Sequence, residues 1–565
     1  MTGALHHRGP DGTGFHFEQH VGLGHQRLSI IDLKTGRQPM KNEDGTLWLV
    51  LNGEIYNFLE LKKELKAKGH VFSTQSDSEV VLHLYEEMGE RCVEKLIGMF
   101  AFAIWDRKRR RLFLARDRFG MKPLHYFIGK DTFLFASEIK ALLQYPGLDK
   151  ALNFSALDQY FTFLYVLEPS TIFEEIQKLP PAHYLICEEE KITLQKYWDL
   201  EFPSLEHHSE KFYEEGLKSR LEESIKLTLR SDVPVGVFLS GGIDSSVVTA
   251  LVKAQERKVK TFSVTFEETL YSEKTYSRLA AKTFKTDHHE LMVTKQDALR
   301  AIPKLASFLD EPFADSSAIP TYLISKFAKG FVKTVLTGEG GDELFAGYPW
   351  QKSRISGKGS LKDLLTVPSK MIFNHQARQS LYSAEVRRKI PGNIFKDVDI
   401  DLGYLKKLNT LDQYLYLDFK TYLPSDMLAK MDRMSMANSL EGRFPFLNHP
   451  LVEFVNSVPS SLKLKNGIRK YLLKKTFGAM IPKAILKRPK MGFSVPLNTW
   501  MWEQGKFRDF VYDVLFDSKT KRRGYFNYAV IEKMFLEHDR LITMHDQRIW
   551  TLLMFELWHR NFLDA

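Results

Sequence analysis

The sequence predicts an α/β protein in which a region of short strands precedes a doubly wound parallel sheet. Short strand patterns separated by turns fill the first 200 or so residues. After them the apolar run Val235–Leu239 leads into a glycine-rich turn and a helical pattern, and strands and helices then alternate. A chain of 565 residues is also too long for one core, so two or three domains are expected.

Composition excludes several classes of protein. Hydrophobic residues at 44% and charged residues at 27% are typical of a globular protein. The net charge of +10 is spread along the chain, and the basic run 107–111 fits a solvated hairpin turn better than a nucleic-acid patch. Its two cysteines, which we expect to be buried, cannot build a disulfide framework or a zinc site. With no long apolar run or signal peptide, we expect a cytoplasmic protein without nucleic-acid or membrane partners.

The first region reads as layered sheets covered by helices. Alternating apolar patterns predict four strands, at Gly22–Asp32, Leu47–Asn52, Met99–Asp106 and Arg111–Asp117. Amphipathic spacing predicts helices over Asn57–Gly69 and Ser78–Gly89.

The segment Ser240-Gly241-Gly242-Ile243-Asp244-Ser245-Ser246 lies between the predicted strand Val235–Leu239 and a helical pattern that starts at Val247. A strand, a glycine turn and a helix start present backbone N–H groups to an anion at the positive end of the helix dipole. No lysine lies inside the segment, so it is not the lysine-bearing phosphate loop. It matches the pyrophosphate loop of enzymes that cut ATP between the α- and β-phosphates. The alternative is an ordinary strand-to-helix turn.

The pattern beyond this loop predicts a parallel sheet with ligands at its carboxyl edge. Thr261–Phe266 and Val332–Leu336 read as strands, and Glu273–Phe284 reads as a helix. A second glycine-rich segment with carboxylates, Thr337–Phe345, follows the later strand. Carboxylates suit a nucleotide phosphate only when Mg²⁺ bridges them.

Several motifs of the first region resemble those of class II glutamine amidotransferase domains, in the same order. They are His7-Arg8-Gly9-Pro10-Asp11, Arg27-Leu28-Ser29-Ile30, Asn52-Gly53-Glu54-Ile55-Tyr56-Asn57, Ser76-Asp77-Ser78-Glu79 and Gly98-Met99-Phe100-Ala101-Phe102. Together with the pyrophosphate loop, they make the whole chain similar to glutamine-hydrolysing asparagine synthetases. The resemblance implies an αββα-layered, Ntn-type domain over residues 1–199, a linker over 200–210 and an ATP-pyrophosphatase domain over 211–565.

The resemblance also implies a glutamine site in the first region. A glutamine zwitterion needs a cation for its carboxylate and a carboxylate for its ammonium, and an amide and a backbone N–H suit a developing oxyanion. The alternative is that Asn52-Gly53-Glu54 is a hairpin turn and Arg27 a surface residue. The implied glutamine-binding residues are Arg27, Leu28, Ser29, Ile30, Asn52, Gly53, Glu54 and Asp77.

A nucleotide and aspartate site is implied for the second region. In it Asp244 and Asp342 would hold Mg²⁺, Glu339 would act at the aspartyl adenylate, and Lys430 would bind the aspartate carboxylate. The alternative for Lys430 and its neighbour Arg433 is a pair of helix-surface salt-bridge partners. The implied ATP-binding residues are Phe238, Ser240, Gly241, Gly242, Asp244, Ser245, Ser246, Val264, Thr337, Gly338 and Lys470.

The sequence departs from this family at the nucleophile. The family uses an amino-terminal cysteine some way before the His-Arg-Gly-Pro-Asp motif, whereas this chain begins Met1-Thr2-Gly3 and has cysteines only at positions 92 and 187. Either the chain is a shortened form of a longer protein, or its amidotransferase region is natively inactive. The complete set of glutamine-pocket motifs favours the first explanation.

The sequence thus predicts a ligase that makes asparagine from aspartate through a β-aspartyl-AMP intermediate. The nitrogen would come from glutamine in the intact family and from free ammonia in this chain, and ATP and Mg²⁺ would be needed. Alternatives are an adenylating amidotransferase or amide-forming cyclase of specialised metabolism that acts on another carboxylate, and a scaffold built on an inactive amidotransferase fold. A homodimer is compatible with the sequence.

Overall fold

A computed structural model gives the fold of residues 1–189, 191–203, 208–354, 371–493 and 495–564. Residues 204–207 of the expected linker lie outside these described ranges. None of the helices within them is long and apolar enough to cross a membrane.

The amino-terminal region is built around a six-stranded antiparallel sheet with the order β11-β10-β6-β5-β4-β3. The strands are β1 (Gly12–Glu18), β2 (Val21–Arg27), β3 (Met40–Lys41), β4 (Leu47–Ile55), β5 (Gly98–Asp106), β6 (Arg111–Arg116), β7 (His125–Ile128), β8 (Phe133–Ala136), β9 (Ile176–Lys178), β10 (His183–Glu188) and β11 (Lys191–Lys196). The helices are α1 (Phe58–Ala67), α2 (Glu79–Met88), α3 (Cys92–Lys95), α4 (Ile139–Leu142) and α5 (Phe154–Phe163).

This sheet is buried on both faces, as the apolar strand residues require. On one face Leu49, Phe102 and Phe113 pack with residues of α1 and α2 in a single buried cluster. On the other face Val50 and Ala103 pack with residues of β7 in a second cluster, and α4 contacts β7 and β8. The layers are therefore helix, sheet, sheet and helix, which confirms the expected αββα arrangement.

Two sequence expectations for this region need correction. The predicted strand Gly22–Asp32 ends at Arg27, because Arg27 pairs with Gly12, the first residue of β1, and Leu28–Asp32 have no strand partner in the hairpin. Asn52, Gly53 and Glu54 do not form a hairpin turn, since all three lie in β4 and pair with β5. Of the predicted basic run 107–111, residues 107–110 form the turn between β5 and β6 as expected, and Arg111 is the first residue of β6.

The carboxy-terminal region contains a five-stranded parallel sheet with the order β14-β13-β12-β15-β16. Its strands are β12 (Val235–Phe238), β13 (Lys260–Phe266), β14 (Asp287–Val293), β15 (Thr334–Leu336) and β16 (Glu441–Arg443), and a separate hairpin pairs β17 (Leu464–Lys465) with β18 (Ile468–Arg469). The helices up to residue 354 are α6 (Glu210–Thr228), α7 (Ile243–Gln255), α8 (Lys274–Phe284), α9 (Lys295–Phe308), α10 (Ala318–Ala328), α11 (Gly341–Phe345) and α12 (Pro349–Arg354).

The remaining described helices follow residue 370, and several of them contribute residues to a pocket that is described below. They are His375–Leu381, Ala384–Lys389, Leu402–Leu405, Thr410–Leu417, Ala429–Met436, His449–Ser457, Ser460–Lys463, Tyr471–Phe477, Lys483–Lys487, Leu497–Trp502, Lys506–Phe516, Ser518–Arg522, Tyr528–Asp539 and Asp546–Phe562. A π-helical segment, Asp418–Leu428, leads directly into helix Ala429–Met436.

The strand order places the two glycine-rich loops side by side. The chain moves from β12 through β13 to β14 in one direction and then returns to β15 on the other side of β12, so the direction of winding reverses between β12 and β15. Right-handed crossovers put helices on both faces of such a sheet, which confirms the doubly wound prediction. Helix α7 begins at Ile243 rather than at Val247, because the loop residues Asp244–Ser246 already form its first turn.

Candidate active sites

A cavity of about 1550 Å³ in the amino-terminal region is lined by most of the residues that were predicted to bind glutamine. It is lined by Arg27, Leu28, Ile30, Asn52, Gly53, Glu54 and Asp77. Ser29 does not line it, since this buried residue donates its backbone N–H to Asp11 Oδ2 at 2.8 Å. We refer to this cavity as the first pocket.

Backbone geometry fixes the polar groups of the first pocket. Gly53 has φ +136° in β4, and a Cβ there would lie 2.0 Å from Met99 O, so only glycine fits this point of the sheet. Arg27 Nη2 donates to Asp32 O at 2.5 Å, which holds the guanidinium at the pocket wall. Asp77 Oδ2 accepts from Ile55 N–H at 2.8 Å, and burial raises the pKa of this carboxyl to about 6.

Glu54 is tied to the other region of the chain, which the sequence did not indicate. Arg443, at the end of β16, brings Nη2 within 3.4 Å of Glu54 Oε2 and is fully buried. Burial, with a further contribution from Asp77, raises the pKa of Glu54 well above its usual range although Arg443 opposes the shift. A glutamine ammonium at this wall would therefore meet a carboxyl group that already has a cationic partner.

Neither cysteine is placed to act in the first pocket. Cys92 is fully buried in α3, and burial raises its pKa, as expected for a small core residue. Cys187 is only half-buried, which corrects the expectation for it, and burial raises its pKa as well. It lines the broad end of the cavity on β10, four residues along and three strands across from Asn52. Strand spacings make that separation about 20 Å.

A second pocket of about 660 Å³ opens where the carboxyl ends of β12 and β15 meet. Among its lining residues are the predicted Phe238, Ser240, Gly242, Asp244, Ser245, Val264, Thr337, Gly338, Glu339, Asp342, Lys430 and Lys470. Gly241 and Ser246 do not line it. Gly241 has φ +72° and its Cα packs against the backbone of Tyr276, where a Cβ would lie 2.4 Å from the carbonyl carbon. Ser246 is fully buried in the first turn of α7.

Two aspartates and two lysines form the polar centre of the second pocket. Lys470 Nζ contacts the carboxylates of both Asp244 and Asp342, at 2.6 Å from Asp342 Oδ1. Lys490 forms an ion pair with Asp342 as well. Burial raises the pKa of Asp244 against the pull of Lys470, whereas at Asp342 the two lysines outweigh burial and lower the pKa. A nucleotide phosphate entering here would therefore find ammonium groups already concentrated at the loops.

These residues also fit the predicted Mg²⁺. Its preferred ligands are oxygens, and it is commonly bound by one or two carboxylates together with substrate phosphates. Asp244 Oδ1 is buried with no hydrogen-bond donor among the described residues, so one carboxylate oxygen is left for a cation. Asp244 and Asp342 would hold the ion, which would neutralise charge on the leaving pyrophosphate.

Lys430 lies at the far wall of this pocket rather than on a helix surface. It is 5% exposed, and its Nζ lies 2.5 Å from Asp315 Oδ2 and 3.7 Å from Asp426 Oδ1. Burial alone would lower the pKa of Lys430, but these carboxylates raise it, so the ammonium stays charged. Arg433 is also buried, and the surface salt-bridge alternative is therefore wrong for both residues.

Glu339 lies in the same pocket, and its electrostatic field reaches Lys430. It is half-buried, and its Oε2 has no hydrogen-bond partner among the described residues. Such an oxygen, on a residue that lines a cationic pocket, can accept a hydrogen bond from a ligand.

Sequence reasoning missed the segment that closes the pocket from one side. Arg488 forms an ion pair with Glu273 and donates to Ser240 O at 3.4 Å, while Lys490 reaches Asp342. The basic run 487–490 was the only signal, and surface charges of that kind are common. The sequence likewise assigned no role to Asp315, the partner of Lys430.

Comparison with known proteins decides the family. The asparagine synthase family model matches residues 216–560, and the glutamine amidotransferase domain model matches residues 1–198. The chain belongs to the asparagine synthase family. It is a ligase of this family, built as a glutamine amidotransferase domain joined to an asparagine synthase domain.

Individual relatives cover nearly all of the chain. Glutamine-hydrolysing asparagine synthetase 1 of Bacillus subtilis is 35% identical, over 99% of this chain and 92% of its own length. A putative glutamine-hydrolysing asparagine synthetase of Mycobacterium tuberculosis is 32% identical, over 99% of this chain and 93% of its own. The amidase chry2 of Gibberella zeae is 30% identical, over 87% of this chain and 84% of its own.

Proposed function

We propose that this asparagine synthase family member forms asparagine from aspartate, ATP and ammonia through a β-aspartyl-AMP intermediate. The observation that carries the proposal is a single pocket lined by residues of the loop Ser240–Ser246, by the buried Lys430 and by Glu339. The Oε2 atom of Glu339 has no hydrogen-bond partner among the described residues.

The loop residues support ATP binding. Helix α7 begins at Ile243, so its first N–H groups point to the place where the phosphates would lie. Lys470 and Lys490 would lie beside the β- and γ-phosphates, where they would offset the charge of leaving pyrophosphate. Phe238, at the end of β12, and Val264, within the neighbouring β13, would pack against the adenosine.

The charged groups around Lys430 support the proposal that the substrate is an amino acid. An ammonium flanked by Asp315 and Asp426 offers a cation for a carboxylate and acids for an ammonium, which is the complement of a zwitterion. Aspartate bound in this way would present its β-carboxylate to the α-phosphate, with Glu339 beside the adenylate that forms.

The nitrogen source follows from the chain's own thiols. Amide hydrolysis in this class needs a cysteine within reach of the oxyanion donors, and neither Cys92 nor Cys187 meets that requirement. We therefore propose that the 565-residue polypeptide uses ammonia taken from solution.

The test of the synthetase chemistry is product analysis with ATP, Mg²⁺ and a panel of carboxylic acids. AMP and pyrophosphate are expected with aspartate and not with the other acids. ADP and phosphate as products would contradict the assignment of the loop. Turnover with a different carboxylic acid but not with aspartate would instead assign the chain to the adenylating enzymes of specialised metabolism.

A second assay tests the nitrogen source in the same polypeptide. Asparagine is expected with ammonium salts and not with glutamine, because loss of a catalytic nucleophile costs on the order of 10⁶ in turnover. Ammonium-dependent synthesis serves as the internal control for a folded enzyme. Glutamine-dependent synthesis, or release of glutamate, would show that another group replaces the thiol.

A further inference from the structure

Two histidines and two glutamates converge on one point at the outer side of the amino-terminal region, away from either pocket lining. Glu43 lies in the turn between β3 and β4, His70 follows the end of α1, and His83 and Glu86 are one turn apart on α2. One ligand atom from each of the four lies within 4.8 Å of all the others. Three separate segments of chain therefore supply this cluster.

The separations suit a tetrahedral metal ion. His83 Nδ1 lies 2.8 Å from Glu86 Oε2 and 3.6 Å from Glu43 Oε2, and His70 Nδ1 lies 3.5 Å from Glu86 Oε2 and 4.0 Å from Glu43 Oε1. Zinc bonds to histidine nitrogen and carboxylate oxygen are about 2.0–2.2 Å, so tetrahedral ligands lie about 3.3–3.6 Å apart. Two of these four separations already lie in that range, and the other two, 2.8 and 4.0 Å, differ from it by about half an ångström or less.

The outer side of each imidazole is arranged as it is in known metal sites. The Nε2 atom of His70 lies 3.2 Å from Glu87 Oε1, and the Nε2 atom of His83 faces Glu79 Oε1 at 3.9 Å. At His70 the hydrogen bond from Nε2 to Glu87 fixes the tautomer and leaves Nδ1 with a lone pair for a metal. At His83 the Glu79 carboxylate lies on the same outer side of the ring, beyond hydrogen-bond distance.

The carboxylates of the cluster are also oriented from outside. Asn42 Nδ2 donates to Glu86 Oε1 at 2.8 Å, and the Val71 N–H donates to Glu43 Oε1 at 3.0 Å. The other oxygen of each carboxylate, Oε2, faces His83 Nδ1, at 2.8 Å for Glu86 and 3.6 Å for Glu43. His83 is fully buried, and its Nδ1 is turned toward the carboxylates of Glu86 and Glu43.

We propose that Glu43, His70, His83 and Glu86 form a structural site for a divalent transition metal of the zinc type. Imidazole and carboxylate donors in a tetrahedral set favour Zn²⁺ over Mg²⁺ or Ca²⁺, which prefer oxygen ligands at higher coordination number. The ion would link the β3–β4 turn, the end of α1 and α2. Asp77 lines the first pocket, and α2 begins two residues after it. The ion would therefore also fix the position of a helix that adjoins this pocket.

The test uses the full chain, stripped of metal with a chelator and then kept in excess Mg²⁺ so that oxygen-ligand sites are filled. Cobalt(II) is added first, because a tetrahedral nitrogen and oxygen site gives intense visible absorption, and zinc is then titrated in to displace it. The expected result is one equivalent per chain, displacement of cobalt by zinc, and a higher unfolding temperature in the presence of zinc.

Variants assign the signal to these residues. His70→Gln and Glu43→Gln change partly exposed ligands and should weaken zinc binding more than about 100-fold, whereas Glu87→Gln removes only an outer partner and should weaken it about 10- to 100-fold. His375→Gln, an exposed histidine at the start of helix His375–Leu381, is the matched control and should bind as the parent does. Circular dichroism checks that each variant is folded.

Two results would overturn the proposal. One is the absence of stoichiometric cobalt or zinc binding by the folded parent chain. The other is binding that His70→Gln and Glu43→Gln leave unchanged, which would place the ion elsewhere.

Discussion

Arg443 is the residue whose loss should most disturb the contact between the two regions. It is fully buried, pairs with Glu54 at 3.4 Å and Glu441 at 3.0 Å, and donates to the carbonyls of Thr228 and Arg230. Arg443→Met keeps the volume but leaves two carboxyl groups without their cation. Removing one partner of a buried ion pair costs about 3–5 kcal/mol. Since the pKa of Glu54 is already raised, this group can take up a proton, and we expect the free energy of unfolding to fall by about 3 kcal/mol.

Urea unfolding, followed by tryptophan fluorescence, measures this loss, and its pH dependence tests the cause. A carboxyl group whose folded pKa is raised stabilises the fold below its unfolded pKa, and this stabilisation is lost as pH rises through the folded pKa. Arg443 lowers the pKa of Glu54, so Arg443→Met should raise that pKa further, and its deficit relative to the parent should grow from about pH 5 to pH 8. Adding Glu54→Gln should recover about 1–2 kcal/mol, as a double-mutant cycle for a direct pair requires. A deficit under about 1 kcal/mol, or no recovery in the double variant, would refute this account of the interface.

Three further outcomes are expected. Glu339→Gln should abolish formation of AMP and pyrophosphate while nucleotide binding, measured by calorimetry, stays within about threefold of the parent; an active variant would remove Glu339 from the chemistry. Burial raises the pKa of Asp77 to about 6, so this group destabilises the fold increasingly as pH rises through that value. Asp77→Asn should therefore flatten the pH dependence of the unfolding temperature between about pH 4 and 7. An unchanged profile would contradict the raised pKa. Amide hydrogen exchange should be faster in β2 than in β12, which lies at the centre of the parallel sheet. Among the described strands β2 pairs only with β1, and it has one buried residue. Equal protection of the two strands would contradict this interpretation of the hairpin.

The parts of this fold that the sequence predicted are those set by local pattern. Strands such as Leu47–Asn52 and Thr261–Phe266 alternate or run apolar over several residues, and each is found with small changes at its ends. The loop Ser240–Ser246 was recognised because a strand, glycines and a helix start adjoin in the chain. The start of α7 was misplaced because Asp244, Ser245 and Ser246 are poor helix formers inside a helix, although they favour its first turn.

Contacts between distant segments were out of reach. No local pattern indicates that Arg443 will face Glu54, that Lys490 will pair with Asp342, or that Lys430 will be buried. Each depends on how the two regions and the late helices pack, which is set by the summed apolar surface and not by a motif. The domain boundaries, the linker 200–210 and the Mg²⁺ ligands remain predictions.

The helix Ala429–Met436 shows why the amino-terminal region bears on the second pocket. Lys430 and Asp432 are two residues apart, so they leave the helix on opposite sides, at about 200° to one another. On the side away from the pocket, Asp432 accepts a bidentate pair from Arg8 at 2.8 and 3.0 Å, and Arg8 also bonds Glu138 at 2.8 Å, all of them buried. Moving this helix would separate these buried ion pairs and leave their charges without a partner or water to solvate them, which costs several kcal/mol. The position of the Lys430 ammonium is therefore set partly by Arg8, a residue of the first motif in the chain.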